Sequence, residues 1–275
     1  MNRNSNTYTI IYSAVLVVLV AAGLALLSIA LKEPQQANIR TEKMQNILAS
    51  FGKGEVPQGE DKNSYIENEY NRYIIDTYTV GVNGEKREGE NAFDINMKYQ
   101  LSLPTGERTL PVFEAKDGVK TIYILPLYGT GLWGPIWGYL AVDSDGSTVV
   151  GSVFSHSGET PGLGAEIATP VFSDRFINKQ IFEGDQMVSI AVVKPGSTAA
   201  TSHNVDGISG GTLTSNGVND MLRDNLNDYK AFLMKNGTKF RSSYTEEVVM
   251  DDTEVPIEKN AETAGAPEEV AEQEE

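Results

Sequence analysis

The chain has 275 residues, enough for a well-buried core in one main domain with appendages. It contains no cysteine and only two histidines, His156 and His203, which excludes iron–sulfur clusters, thiolate metal sites, disulfides and cysteine nucleophiles and disfavours a histidine-built metal centre. A formal net charge of −16 repels phosphate backbones and argues against nucleic acid as a partner.

The first element is an uncharged apolar run from Ile10 to Leu31, bounded by polar Asn2–Thr7 before it and Lys32 and Glu33 after it. Its length suits a helix crossing a lipid bilayer. A cleaved signal peptide is the competing reading, because Ser28-Ile29-Ala30 resembles a small-residue cleavage site; the run is long for a signal core, which favours an anchor that stays. Counting positive charges puts Arg3 and the α-amine on one side and Lys32, Arg40 and Lys43 on the other. Taken literally, the positive-inside rule then leaves the large domain in the cytoplasm. Gln36–Leu48 reads as a short juxtamembrane helix, and residues 52–63 as a polar linker.

Strands are expected at Tyr73–Val80, Phe93–Tyr99, Thr121–Leu125, Trp137–Val142, Thr148–Phe154 and Met187–Val193, where apolar and β-branched residues cluster. Pro126 should stop the third. Asp143-Ser-Asp-Gly-Ser147 is a hairpin-turn signal. One helix is expected from Pro170 to about Lys179. A second runs from Ser215 to about Lys235, with Val218, Met221, Leu222, Leu226, Tyr229, Phe232 and Leu233 on one face, Ser215 or Asn216 as its cap and Asn236-Gly237 as its end. That apolar face is core. The chain closes on an acidic tail, residues 245–275, in which twelve acidic residues and one lysine lie between Glu246 and Glu275; it reads as disordered.

The segment feeding the second helix, Asp206-Gly-Ile-Ser-Gly-Gly-Thr-Leu-Thr-Ser-Asn-Gly217, is rich in glycine and hydroxyls and adjoins a helix N-terminus. Free N–H groups and the helix dipole favour an anion there, so it is either a phosphate-binding loop or an ordinary capped loop. Two short patterns nearby fail. Gly207-Ile-Ser209-Gly-Gly211 fits a nucleophile elbow, but that order needs a histidine after the serine, and both histidines precede it. Gly129-Thr-Gly131-Leu-Trp-Gly134 fits a dinucleotide fingerprint, but Pro135 and Gly138 follow where a helix would have to open.

Asp206-Gly207-Ile208-Ser209-Gly210-Gly211-Thr212 resembles the flavinylation motif of the covalent FMN-binding domain family, with Gly211 where alanine is usual. His156-Ser-Gly-Glu159-Thr160-Pro161-Gly162-Leu163-Gly164 resembles a loop shared by the NqrC components of Na+-translocating NADH:quinone oxidoreductase and the RnfG components of the Rnf electron-transport complex. Tyr128-Gly-Thr-Gly-Leu-Trp133-Gly-Pro-Ile-Trp-Gly-Tyr139 and Thr214-Ser-Asn-Gly-Val218 are more similar to the quinone-reductase component.

The resemblance implies an α+β fold: a single N-terminal transmembrane helix (residues 1–33), a juxtamembrane and N-terminal part of the extramembrane domain (34–94), and a covalent FMN-binding domain (95–240) with an antiparallel sheet and flanking helices. It implies FMN joined by a phosphoester to Thr212, with Ser209, Gly210, Gly211 and Asp206 in the attachment loop. Thr160, Leu163 and Gly164 would lie against the flavin, Trp133 is a candidate neighbour, and Lys194 would offset phosphate or reduced-flavin charge. The plainer readings are a packed core indole for Trp133, a solvated lysine for Lys194, a loop or helix cap for Glu159 and polar loop residues for both histidines. No residue is expected to be catalytic or a metal ligand.

By the same resemblance the chain is an electron-relay component of a complex in a bacterial inner membrane, flavin domain on the periplasmic side, against the charge count. Its partners are the lipid bilayer, other subunits of a membrane redox complex, a flavin transferase that makes the bond, and quinone indirectly as final acceptor. An Rnf-type component, a non-redox membrane-anchored binding module and a stand-alone flavoprotein reductase are the alternatives, the last disfavoured because no substrate-binding domain is legible.

Overall fold

The computed structural model describes residues 6–197 and 199–240; the acidic tail lies outside the described residues. Helix α1 (Asn6–Ala49) is continuous and about 66 Å long at 1.5 Å per residue. The expected break between an anchor and a separate helix at Gln36 is absent. Pro34 costs one backbone bond inside α1, but good helix formers flank it on both sides and the helix passes through. Every side chain from Thr9 to Arg40 is exposed. Over Ile10–Leu31 that surface is apolar on all faces, and the helix is long and apolar enough to cross a membrane. Packing into the domain begins only at Thr41, Met44, Ile47 and Leu48.

Helix α2 (Lys62–Tyr73) follows, where no helix is legible in the sequence. Asp61 caps it by accepting from the Ser64 N–H at 2.9 Å, and it buries only Ile66 and Tyr70, too few for an apolar stripe. Then come β1 (Ile74–Gly81) and β2 (Lys86–Arg87). The expected strand at Phe93–Tyr99 is instead a 3₁₀ turn (Ala92–Asp94) and helix α3 (Met97–Ser102). Asn91 and Asn96 decide this: their side chains accept from the N–H groups of Phe93 and Tyr99 and start a turn each.

Strands β3 (Thr109–Asp117), β4 (Lys120–Thr130), β5 (Pro135–Asp143) and β6 (Val149–His156) complete an antiparallel sheet of order β2-β1-β3-β4-β5-β6. The Asp143–Ser147 turn joins β5 to β6 as expected. The sheet is covered on both faces. Phe113, Ile122, Ile124 and Ala141 meet α1 and α2, while Leu110, Val112, Leu125, Leu140 and Val142 meet the other helical layer. Central strands buried on both faces read as unbroken apolar runs rather than alternating ones. Pro111 and Glu114 interrupt that run in β3, so the strand carries neither signal.

Contrary to expectation, β4 does not stop at Pro126. Its pairing with β3 ends at Ile124, while its pairing with β5 continues to Thr130. Pro126 thus sits where the strand has one sheet neighbour, the position at which a strand tolerates a missing N–H.

Short elements pack beyond β6: α4 (Pro170–Ser173), β7 (Phe182–Glu183), β8 (Gln186–Met187), β9 (Ala191–Val193) and β10 (Asn204–Asp206). Pro170 does open a helix, but it tightens into a 3₁₀ turn at Asp174 and reverses at Asn178, whose φ is 62°. The reversal lets Asn178 and Lys179 exchange backbone bonds with Val149, each 2.8 Å long. The expected strand Met187–Val193 is broken at Ser189 (φ 61°), where the N–H groups of Val188 and Ser189 both turn to the Ile181 carbonyl. Among the described residues only β9 pairs in parallel, with β10.

Helix α5 (Thr212–Asn236) spans the second sheet face and buries all seven expected apolar residues. Three polar contacts lock it to the sheet where β3 and β4 part. Asn225 exchanges bonds of 3.0 Å with both backbone groups of Tyr128. The fully buried Tyr229 hydroxyl donates to the Pro111 carbonyl at 2.8 Å. Arg108 pairs with Asp228 at 2.7 Å. Tyr229→Phe leaves a buried carbonyl without its donor, and should lower unfolding free energy by roughly 1–3 kcal/mol in chemical denaturation. A change of only a few tenths would mean that the carbonyl finds another partner.

Candidate functional site

Three segments converge at the N-terminus of α5. The first is the β4–β5 hairpin tip, residues 131–134, closed by the Gly131 N–H to the Gly134 carbonyl at 2.8 Å. This hairpin is why no helix opens after the glycine pattern there. The second is loop 157–164, folded back by the N–H groups of Leu163 and Ala165, both bonded to the Thr160 carbonyl at 3.1 Å. The third is Gly207–Thr214.

The start of α5 differs from the expectation. Its N-cap is Gly211, with no side-chain cap, and Thr212 is the first helical residue. Ser215 does not cap: its hydroxyl accepts from the Ile208 N–H at 2.9 Å and shapes the preceding loop. Gly210 has φ 77° and faces Leu163 closely enough that a Cβ would lie 2.8 Å from Leu163 Cδ2, so loop and helix end meet backbone to side chain. The Thr212 side chain is exposed.

An open cleft of about 150 Å³ lies here, lined by Leu132, Glu159, Thr160, Leu163, Gly164, Gly210, Gly211, Thr212, Leu213 and Thr214. Six of the residues expected at a site are therefore brought together: Thr160, Leu163, Gly164, Gly210, Gly211 and Thr212. Its rim is apolar and solvent-facing, with Leu132, Leu163 and Leu213 all more than two-fifths exposed. Trp133, next to Leu132, is 68% exposed, so it is not a packed core indole.

Asp206 and Ser209 do not line this cleft; they line a neighbouring cavity of about 530 Å³, as do Arg175 and Lys179. Lys194 follows β9 at the surface and lines neither. His156 accepts from the Glu159 N–H through Nδ1 at 3.2 Å, and His203 Nδ1 lies 2.8 Å from the Gln180 carbonyl.

One residue central to this geometry is not apparent from sequence alone, and another has a wider part than its sequence reading as a cap. Arg175 donates to the carbonyls of Asp206 (2.7 Å) and Gly207 (3.0 Å) and holds the loop from outside; nothing in its sequence surroundings marks it. Glu159 is only 4% exposed. One carboxylate oxygen accepts from the Trp133 N–H at 2.9 Å, the other from the Thr214 hydroxyl at 2.6 Å. It does cap a loop, as the plain reading has it, but it also reaches the helix.

Residues 131–227 match the family described as FMN-binding domain, a range that contains the whole cleft. The NqrC component of the Na(+)-translocating NADH-quinone reductase of Vibrio vulnificus is 33% identical over 203 residues, covering 70% of this chain and 79% of that one. The chain belongs to the NqrC family of Na(+)-translocating NADH-quinone reductases. A second family member, from Vibrio anguillarum, is 31% identical over 203 residues, covering 70% of this chain and 78% of its own. The fold agrees. The crystal structure of the family member from Parabacteroides distasonis superposes with a TM-score of 0.67 at 46% identity, over 74% of this chain and 96% of that one. Shewanella oneidensis NqrC gives a TM-score of 0.59 at 24% identity, over 71% and 96% of the two chains, and shows the same fold. The α+β architecture read from the sequence is thereby established for this member.

Proposed function

We propose that this chain is the electron-relay NqrC component of a Na+-pumping NADH:quinone oxidoreductase, carrying FMN as a phosphoester of the Thr212 hydroxyl. The observation that carries the reading is the position of Thr212: an exposed hydroxyl on the first residue of a long helix, at the edge of an apolar-rimmed cleft, within the segment that matches an FMN-binding domain.

The residues fit such a group. A phosphate on Thr212 would lie at the helix N-terminus, where the N–H groups preceding the first intrahelical bond (Ser215 to Gly211, 2.9 Å) point outward and the dipole favours an anion. Leu132, Leu163 and Leu213 offer flat apolar contact for a planar ring, and Thr160 a hydroxyl beside it. At about 150 Å³ the cleft is smaller than the roughly 300–1,000 Å³ that normally encloses a drug-sized ligand. A covalent tether supplies the retention that enclosure does not. When bound, the flavin supplies one- and two-electron chemistry; the chain's own residues hold it and leave it open to partners.

The remaining parts follow. The apolar stretch of α1 anchors the chain in the bacterial inner membrane by a single pass, and its unbroken passage into the domain core supports an anchor that stays in place. One helix cannot form an ion path, so sodium movement and NADH oxidation belong to other subunits, with quinone the final acceptor. A flavin transferase makes the bond. The flavin domain faces the periplasm, a placement resting on the family and opposed by the charge count. Asp206, which lines the neighbouring cavity, and Lys194, exposed after β9, act from outside the cleft as polar groups.

The test is peptide mapping by tandem mass spectrometry of the chain co-produced with a flavin transferase. The peptide holding Thr212 should gain the mass of FMN less water, because the bond replaces one threonine hydrogen and one phosphate hydroxyl. An unmodified peptide, with the transferase active on a control, overturns the reading.

A further inference from the structure

Glu159 is a buried carboxylate, and none of the ion pairs among the described residues includes it. Burying a charge is costly, and a neutral amide could reach the same two partners, with one bond reversed. The surroundings are nevertheless shaped to it. A Cβ at Gly131 would lie 2.5 Å from Glu159 Oε1, and one at Gly164 would lie 2.5 Å from Oε2. Each glycine thus leaves room for one carboxylate oxygen. Each oxygen also has one donor: Oε1 the Trp133 N–H, Oε2 the Thr214 hydroxyl. Glu159 itself stands in the second segment, so these two bonds tie together the three segments that supply Leu132, Leu163 and Leu213.

We propose that Glu159 is a positioning residue that sets the apolar rim relative to Thr212 and so fixes the orientation of the tethered ring. The proposal rests on the reading that FMN is joined to Thr212. Glu159 needs no contact with the flavin for this. Through the Trp133 N–H it holds the hairpin tip beside the cleft. Through the Thr214 hydroxyl it holds the first turn of α5, two residues from the attachment point. Without the clamp the phosphoester would still form, because the Thr212 hydroxyl is exposed, but the ring would swing about its tether.

The experiment compares full-length wild type with Glu159→Ala, Glu159→Gln and Thr214→Val, all co-produced with a flavin transferase. Intact mass gives the adduct, and fluorescence anisotropy of the attached flavin gives its mobility; thermal melting serves as a folding control. Glutamine can accept from Trp133 through its oxygen and donate to the Thr214 hydroxyl through its nitrogen, so it keeps both bonds without the charge. The expected result is a loss of anisotropy toward that of free FMN in Glu159→Ala and Thr214→Val, with Glu159→Gln close to wild type. Thr214→Val removes one bond only and decides the matter where Glu159→Ala melts below the working temperature. Wild-type anisotropy in Thr214→Val and in a folded Glu159→Ala overturns the clamp, and so does a fall in Glu159→Gln as large as in alanine. A wild-type chain without adduct overturns the tether instead, and the clamp with it.

Discussion

Thr212→Ala, purified after co-production with an active flavin transferase, is expected to be colourless and to show no flavin mass, while melting with the wild type. The hydroxyl is the bond-forming atom of the proposed phosphoester, so its loss is all-or-none. The cleft beside it holds only about 150 Å³ and is open, too little to retain a free flavin through gel filtration. The fold should not notice: Thr212 is exposed at the first helical position and Gly211, not Thr212, is the cap, so the change in stability should stay within about 0.5 kcal/mol. Thr212→Ser keeps a hydroxyl at the same place and should regain part of the adduct. Yellow, flavin-bearing Thr212→Ala protein would move the attachment elsewhere, Thr160 and Thr214 being the other hydroxyls that line the cleft.

Arg108→Ala is expected to give the largest loss of stability among surface-reachable positions, and a pH-dependent one. The Asp228 side chain is 3% exposed and the Arg108 side chain 19%, at 2.7 Å. Removing the arginine leaves a buried carboxylate unpaired, which costs roughly 3–5 kcal/mol. For a domain of this size that is a fall in melting temperature of about 6–20 °C. Burial pushes the Asp228 carboxyl above its ordinary value of 3.8, and Arg108 opposes that rise. An acid whose folded pKa is raised stabilises the fold most below its unfolded pKa, and loses that contribution as pH rises through the folded value. Without Arg108 the folded value climbs further. The penalty of Arg108→Ala should therefore be greatest at neutral pH, where the carboxyl is ionised, and shrink as pH falls to below the ordinary value of 3.8, where the carboxyl is neutral in both states. Circular-dichroism melts across that range check it. A penalty independent of pH would show that Arg108 contributes through its alkyl stem and its hydrogen bonds to the Leu101 and Leu103 carbonyls, not through its pairing with Asp228. Asp228→Asn added to Arg108→Ala should recover part of the loss at neutral pH.

Local signals sufficed for part of this protein. The Ile10–Leu31 run, the Asp143–Ser147 turn and the seven-residue apolar face of α5 each depend on neighbours within a few positions, and each appears where the residues put it. Local expectation fails where a polar side chain redirects the backbone or a neighbour removes a constraint. Asn91 and Asn96 turn an apolar run into turns and a short helix, and Pro126 lies inside a strand because β3 has already left that side. Asn178 stops a helix early so that the chain can pair with Val149.

The same division holds for the candidate site. The loop Asp206–Thr212 and the segment Glu159–Gly164 are legible as motifs: the loop's chemistry leaves a phosphate site or a plain capped loop open, and the flavin is implied by the resemblance of both motifs to a known family. That they share one cleft is not, since 55 residues separate Glu159 from Thr214 and 26 separate it from Trp133. Nor does the sequence show that Asp206 and Ser209 line a different cavity, or that Trp133 stands exposed. By itself the sequence determined the apolar N-terminal helix, the family and the candidate threonine, because apolar length and motif spacing are properties of contiguous residues. Only the tertiary structure decided which of those residues meet, because a hydrogen bond between a buried carboxylate and a distant hydroxyl exists only once the sheet has brought three separate loops to the same helix end.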